Sequence, residues 1–155
     1  MKTLWAPWRI DYILSDKGPG CPLCEAPSCN DGLIVCRGTA CYAIMNRYPY
    51  TTGHSMVAPL RHVSDICDLT DEESCEIMHM AQTIVKATRD ALRPDGFNLG
   101  FNIGEVAGAG IAGHLHFHVV PRWKGDTNFM PALGDVRVIS EHILQTLERI
   151  RGKLP

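Results

Sequence analysis

The sequence has no long apolar run and no strong net charge, and its cysteines are odd in number. No stretch approaches the ~18 apolar residues of a membrane-crossing helix. The segment Met1-Lys2-Thr3-Leu4-Trp5-Ala6-Pro7-Trp8-Arg9 lacks the apolar core of a secretory leader. The expected location is therefore cytoplasmic. A formal charge of −2 gives no electrostatic footprint for long nucleic acid. A small phosphorylated ligand needs only a local pocket of donors and stays open. Seven cysteines cannot close into pairs without leaving one over. A reducing compartment with some metal binding fits better than a disulfide scaffold. The strands are also not separated by regular helical crossovers, which argues against a parallel sheet.

What is present is an ordinary globular composition, 45% hydrophobic and 21% charged over 155 residues. That length favours one domain, taken as residues 1–155. Residues 1–20 form an aromatic arm, in which Trp5, Trp8 and Tyr12 pack on the domain or on a partner subunit and Gly18-Pro19-Gly20 turns. Residues 124–155 form a C-terminal extension that contains a helix. Residues 33–37, 41–46 and 55–59 read as strands, the last ended by Pro59. Thr70-Asp71-Glu72-Glu73 fits a capping box. Ile77, Ala81, Ile84, Val85, Thr88 and Leu92 follow at helical spacing until Pro94-Asp95-Gly96 stops the helix. Residues 97–103 and 114–121 read as strands and residues 140–151 as a closing helix. The fold class is α+β with an antiparallel sheet. Cys67, Cys75, Cys36 and Cys41 read as small buried apolar residues.

The chemistry gathers in His114-Leu115-His116-Phe117-His118. On a strand, alternate side chains share a face. The histidines then form one row, backed by Leu115, Phe117 and Val119. At ~3.3 Å per residue His114 and His118 stand ~13 Å apart, too far to share one ion with His116. Nucleophilic catalysis is the alternative: a neutral imidazole attacks phosphorus, its other nitrogen held by an acceptor, with the flanking histidines as helpers. A set of satisfied structural histidines is the bland reading, weakened by the loop upstream. Gly104 to Gly113 holds four glycines and three alanines. It is no P-loop and no dinucleotide fingerprint. It is either a plain mobile loop or a cradle whose N–H groups meet phosphate.

Cys21-Pro22-Leu23-Cys24 has metal-ligand spacing and is half a site. A redox pair or two unrelated thiols are the alternatives, though the thioredoxin-like setting is missing. His62 and His114 are the preferred partners. His79 and His142 read as solvated or packing residues. Four protein ligands leave no open position, so zinc here would be structural.

His114-Leu115-His116-Phe117-His118-Val119-Val120-Pro121 resembles the signature of the histidine-triad nucleotide hydrolases and transferases. Asn46 to His54, Pro59-Leu60-Arg61-His62 and Asp68-Leu69-Thr70 resemble the same family. Leu4 to Arg9 and Pro121 to Met130 resemble its bacterial branch, related to diadenosine-tetraphosphate phosphorylases and fragile-histidine-triad hydrolases. The resemblance covers nearly the whole chain. It implies a five-stranded antiparallel sheet with two helices, and a homodimer that joins two sheets. It implies attack by His116 on the α-phosphorus of a dinucleoside polyphosphate, with His118 and His114 as its companions, and release of the nucleotidyl-histidine by water or phosphate. It places Asn46, His54 and Asn102 near the nucleotide, and zinc on Cys21, Cys24, His62 and His114. Magnesium enters only as an ion bound to the polyphosphate. Many members carry Gly-Gln-Ser/Thr before the triad, whereas this chain has Gly110-Ile111 and no glutamine. Backbone N–H groups of Gly110, Ile111 and Ala112 would have to substitute. Related activities remain as alternatives, namely phosphoramidate or adenylyl-sulfate hydrolysis. So do a nucleotide sensor without chemistry and a zinc-stabilised interaction module.

Overall fold

The computed structural model describes residues 20–29, 32–126 and 139–155. The aromatic arm with Trp5, Trp8 and Tyr12 lies outside the described residues. A five-stranded antiparallel sheet forms the body, with β1 (Ile34–Arg37), β2 (Cys41–Met45), β3 (Ser55–Pro59), β4 (Gly96–Phe101) and β5 (Phe117–Arg122) in the order β1-β2-β3-β5-β4. Among the described residues three α-helices accompany it: a one-turn α1 (Pro22–Glu25), the long α2 (Asp71–Leu92) and α3 (Ile143–Arg151). The short α1, which carries Cys24, is added to the two expected helices. Among the described residues no helix is long and apolar enough to cross a membrane.

The long helix starts where its sequence says it should. Thr70 Oγ1 accepts from the Glu73 N–H (3.1 Å), and Glu73 Oε2 accepts from the Thr70 N–H (2.9 Å). Two of the N–H groups at the helix start are thereby satisfied. The helix ends at Arg93, whose left-handed backbone (φ 51°) precedes Pro94. Ile77, Met80, Ala81, Ile84, Ala87 and Thr88 face inward. Burying a side chain such as Ile84 contributes about 1.5–3 kcal/mol. Val85 and Leu92 sit at the margin of this stripe. The helix packs on β2, β3, β5 and α3. Glu76 reaches from it to the hairpin between β1 and β2, accepting from the N–H groups of Thr39, Ala40 and Cys41 at 2.7, 2.5 and 2.8 Å. Burial works against its charge, yet these donors hold the Glu76 carboxyl below the usual carboxylate range.

Helix α3 begins three residues later than the spacing suggests. His142 is its N-cap, with Nδ1 accepting from the Leu144 N–H (3.3 Å). Arg151 at its other end donates to the Ile34 carbonyl. Strand β4 covers Gly96–Phe101 rather than 97–103. Of the four cysteines expected inside, only Cys41 is buried, and Cys36 is half-buried. Cys67 and Cys75 are exposed. Cys67 lies in an exposed 3-10 turn (Ile66–Asp68). Cys75 sits two residues before buried Ile77, roughly 200° around the helix and hence on its outer face.

The histidine segment departs most from a simple strand. Ladder pairing of β5 with β3 begins at Phe117, opposite Val57. Only His118 of the three histidines lies in the strand. The next hydrogen-bonding groups are diverted: the Pro59 carbonyl accepts from the His114 ring (2.9 Å), and the Leu115 N–H donates to the Val63 carbonyl (2.6 Å). Proline also has no N–H to extend the ladder. The two-residue alternation persists in part, since Phe117 and Val119 enter the core.

Candidate active site and metal centre

His114, His116 and His118 are all buried, with exposures of 0%, 4% and 7%. Their hydrogen bonds assign the proton on each ring. His114 Nε2 faces the Pro59 carbonyl at 2.9 Å, which can only accept, so Nε2 carries the proton and Nδ1 a lone pair. His116 Nδ1 lies 2.7 Å from the His114 carbonyl and must donate to it. The lone pair of His116 is then on Nε2. This is the tautomer a phosphorus-directed nucleophile requires.

His118 is set by a longer chain. The Tyr50 N–H donates to His54 Nδ1 (3.0 Å), and the Asn46 amide nitrogen lies 3.3 Å from the same atom. His54 therefore carries its proton on Nε2, which is 2.9 Å from His118 Nδ1. His118 accepts there and keeps its own proton on Nε2; the Asn102 amide nitrogen, a second donor, stands beside it at 3.5 Å. Asn46 is held in turn, its Oδ1 accepting from the Tyr48 N–H (2.9 Å). The Tyr50 ring lies 4.6 Å from His54 and 5.9 Å from His118. The His116 and His118 rings meet edge to face at 4.8 Å.

Burial lowers the pKa of His116. Burial, and then the charge that His116 would carry, pushes His118 down to about 4. Both rings are neutral near pH 7.

A cleft of about 1030 Å³ opens beside this chain. Tyr50, Asn102 and His118 line its catalytic end, and Asn98, Arg122 and Trp123 extend it along β4 and β5. Arg122 is clamped by Asp126 at 2.6 and 2.9 Å and by Asn98 Oδ1 at 2.8 Å. Asn46 and His54 stand behind the cleft wall and not in it. Gly110, Ile111 and Ala112 do not line it either. Ile111 instead packs against the core, and its carbonyl accepts from the His114 N–H (3.3 Å). Glycine is required at position 53, just before His54: φ is 82°, and a Cβ there would stand 2.7 Å from Leu92 Cδ1.

On the other side of His114 four ligand-type side chains converge. Their donor atoms, from Cys21, Cys24, His62 and His114, lie within 4.8 Å of one another. Cys21 and Cys24 Sγ are 3.2 and 3.3 Å from His114 Nδ1, and Cys24 Sγ is 3.2 Å from His62 Nδ1. In a tetrahedral centre with bonds of about 2.0–2.3 Å the ligand edges are about 3.3–3.8 Å. The donor set therefore fits a zinc ion with little movement. His79 and His142 take no part in it. The residues that sequence reasoning missed here are backbone groups, the Pro59 carbonyl and the Tyr50 N–H, which carry no side-chain signature. Arg61 and Glu73, paired at 2.8 and 3.0 Å, also flank the site.

Fold and site together define a histidine-triad domain, an antiparallel α+β unit built around one histidine-bearing segment. Residues 29–125 match the HIT domain family, and the chain belongs to it. The "AP-4-A phosphorylase" of Mycobacterium tuberculosis (strain H37Rv) is 43% identical over 94% of this chain and 80% of its own length. The "Bis(5'-adenosyl)-triphosphatase" of Dictyostelium discoideum is 34% identical over 55% of this chain and 56% of its own length. A Zn-bound histidine triad family protein from Mycobacterium smegmatis superposes with a TM-score of 0.72 at 27% identity, covering 86% of this chain and 92% of that one.

Proposed function

We propose that the protein is a nucleotidyl transferase that cleaves dinucleoside polyphosphates through a covalent intermediate on His116. The observation that carries this reading is the proton on His116 Nδ1, fixed by the His114 carbonyl at 2.7 Å. It leaves Nε2 free to attack in a site where the neighbouring imidazole is also neutral. The names of the two enzymes above supply the substrate class.

In the first step His116 Nε2 forms a bond to the α-phosphorus, and the bond to the bridging oxygen breaks. The leaving nucleotide departs with the electron pair of that oxygen. The positive charge that develops on His116 is stabilised through Nδ1–H by the His114 carbonyl. His118 offers its Nε2–H, and Asn102 its amide, to the phosphoryl oxygens. In the second step an oxygen of water or inorganic phosphate attacks the same phosphorus and expels His116 Nε2. Cys21, Cys24, His62 and His114 would hold structural zinc, which when bound supplies rigidity rather than an open coordination site. Its ligand His114 also provides the carbonyl that orients His116. The outer edge of β4 carries no strand among the described residues, and Leu99 on it is 50% exposed. A second copy of the chain is the expected occupant of that edge; light scattering of the purified protein tests this, and a monomer mass would contradict it.

Diadenosine tetraphosphate incubated with and without inorganic phosphate tests the function. ADP plus ATP identifies phosphorolysis, and AMP plus ATP identifies hydrolysis. His116→Ala is expected to lower turnover by roughly 10⁴-fold or more, the scale seen when a covalent nucleophile is removed. Full activity in that variant would sink the assignment. Nucleotide binding with no turnover and no acid-labile labelled enzyme, across a broad substrate panel, would favour a sensor instead.

A further inference from the structure

Glu73 does more in this structure than cap a helix. The residue is 5% exposed, an acid nearly removed from water. Beyond the Thr70 N–H, its carboxylate accepts from Arg61 Nε (3.0 Å) and Nη2 (2.8 Å), so that both oxygens meet the guanidinium fork. Arg61 Nη2 also donates to the Asp68 carbonyl at 2.7 Å. Arg61 immediately precedes His62, whose Nδ1 faces Cys24 Sγ at 3.2 Å.

The backbone around His62 is tied at two other points. On one side the Leu60 N–H donates to the Ala40 carbonyl (2.8 Å). On the other the Val63 carbonyl accepts from the Leu115 N–H (2.6 Å). That second bond joins the residue after His62 to the residue after His114, and so brings the two histidine ligands side by side. Between these ties Arg61 and His62 bulge outward, and both are exposed. The fork on Glu73 is what fixes the bulge to the rigid first turn of α2.

We propose that Arg61 and Glu73 are a positioning pair for the metal centre, holding the His62 segment so that its imidazole meets Cys21, Cys24 and His114. The inference rests on the zinc reading of those four residues. It assigns control over metal affinity to an ion pair whose acid is buried and whose guanidinium is exposed. Groups that orient metal ligands from outside the coordination sphere are commonly worth about 10–100-fold in affinity.

The full-length protein is titrated with zinc against a chromophoric chelator, and with cobalt to read the visible bands of a tetrahedral sulfur–nitrogen site. Glu73→Gln preserves shape and the capping bond, and Arg61→Lys preserves charge while losing the two-point fork. Each is expected to weaken zinc binding by about tenfold and to shift or broaden the cobalt bands. In the double variant the loss should be no greater than in the worse single one. Urea unfolding of the metal-free proteins provides the control. If the variants only lower the metal-free unfolding midpoint and bind zinc as the parent does, the pair serves the fold alone and the proposal is overturned. If the parent itself binds neither metal, while Cys24→Ser leaves everything unchanged, the zinc reading fails and takes the proposal with it.

Discussion

The segment from His114 to His118 serves two regions that are organised on opposite principles. On the metal side, lone pairs are gathered: His114 Nδ1 and His62 Nδ1 point at the sulfurs of Cys21 and Cys24. On the catalytic side, protons are distributed, each ring passing a defined tautomer to the next from the Tyr50 N–H through His54 to His118. The first region has a donor set that could hold an ion. The tautomers of the second are fixed without one, through the His114 carbonyl and the Tyr50 N–H, which leaves His116 Nε2 with its lone pair unengaged. A single residue, His114, belongs to both, with its ring in one and its carbonyl in the other.

That division can be broken from either end, and the metal end should give the largest effect. Zinc removal, or Cys24→Ala, is expected to destabilise the fold and to lower turnover together, because His114 loses its anchor and His116 its fixed acceptor. With free zinc at a hundredfold excess over its Kd, bound metal adds about 2.7 kcal/mol to folding. Thermal unfolding with and without chelator, alongside the activity assay, measures both. The catalytic end should separate the two readouts. His54→Leu keeps most of the buried volume and deletes the donor to His118. It should lower kcat by about 10²-fold, at the low end for one misplaced proton donor, and leave zinc stoichiometry at the parental value. Metal loss in this variant would show that the two regions are not separable.

A smaller effect concerns pH. His118 titrates near 4 in the fold, against an ordinary value near 6.5. The unfolded chain therefore binds the extra proton first as pH falls. The contribution of His118 to stability is full above about 6.5, is lost progressively toward 4 and is flat below. The difference in urea midpoint between the parent and His118→Phe should shrink across that window. A difference independent of pH would contradict the assigned burial of His118. Least of all, Thr70→Ala should cost about 1 kcal/mol through the lost cap and leave kcat where it was, since the hydroxyl it removes meets only the Glu73 N–H and the Thr70 N–H to the Glu73 carboxylate is kept.

The parts legible in the sequence were those encoded by side chains at short spacing. The capping box, the strands of the first half and the antiparallel class are local patterns, and the structure reproduces them. The clustering of Cys21, Cys24, His62 and His114 was legible in two parts: the Cys-x-x-Cys spacing marks half a site, and the family resemblance implies the two histidines that complete it. Orientation was harder to read. Cys75 looks like a core residue until its angle from Ile77 is considered, and Cys67 falls in a turn that no periodicity marks. The histidine row reads as continuous strand because the diversion of the Pro59 carbonyl and the Leu115 N–H involves backbone atoms, which every residue shares. The proton chain through Tyr50 escapes for the same reason. Arg61 and Glu73 are twelve residues apart, and nothing in either local pattern announces that they meet.

The bond between Leu115 N–H and the Val63 carbonyl has a consequence in time. The four ligands are drawn from three stretches of chain, and Cys21 and His114 are separated by 93 positions. Closing so long a loop is entropically costly until the intervening strands have paired. An emerging polypeptide carrying only Cys21, Cys24 and His62 would hold an ion loosely. The fourth ligand arrives with the segment that also delivers His116 and His118. Tight capture of the ion would then coincide with the arrival of the nucleophile, so that metal uptake during synthesis or refolding reports, almost as a clock would, the moment the chain becomes competent.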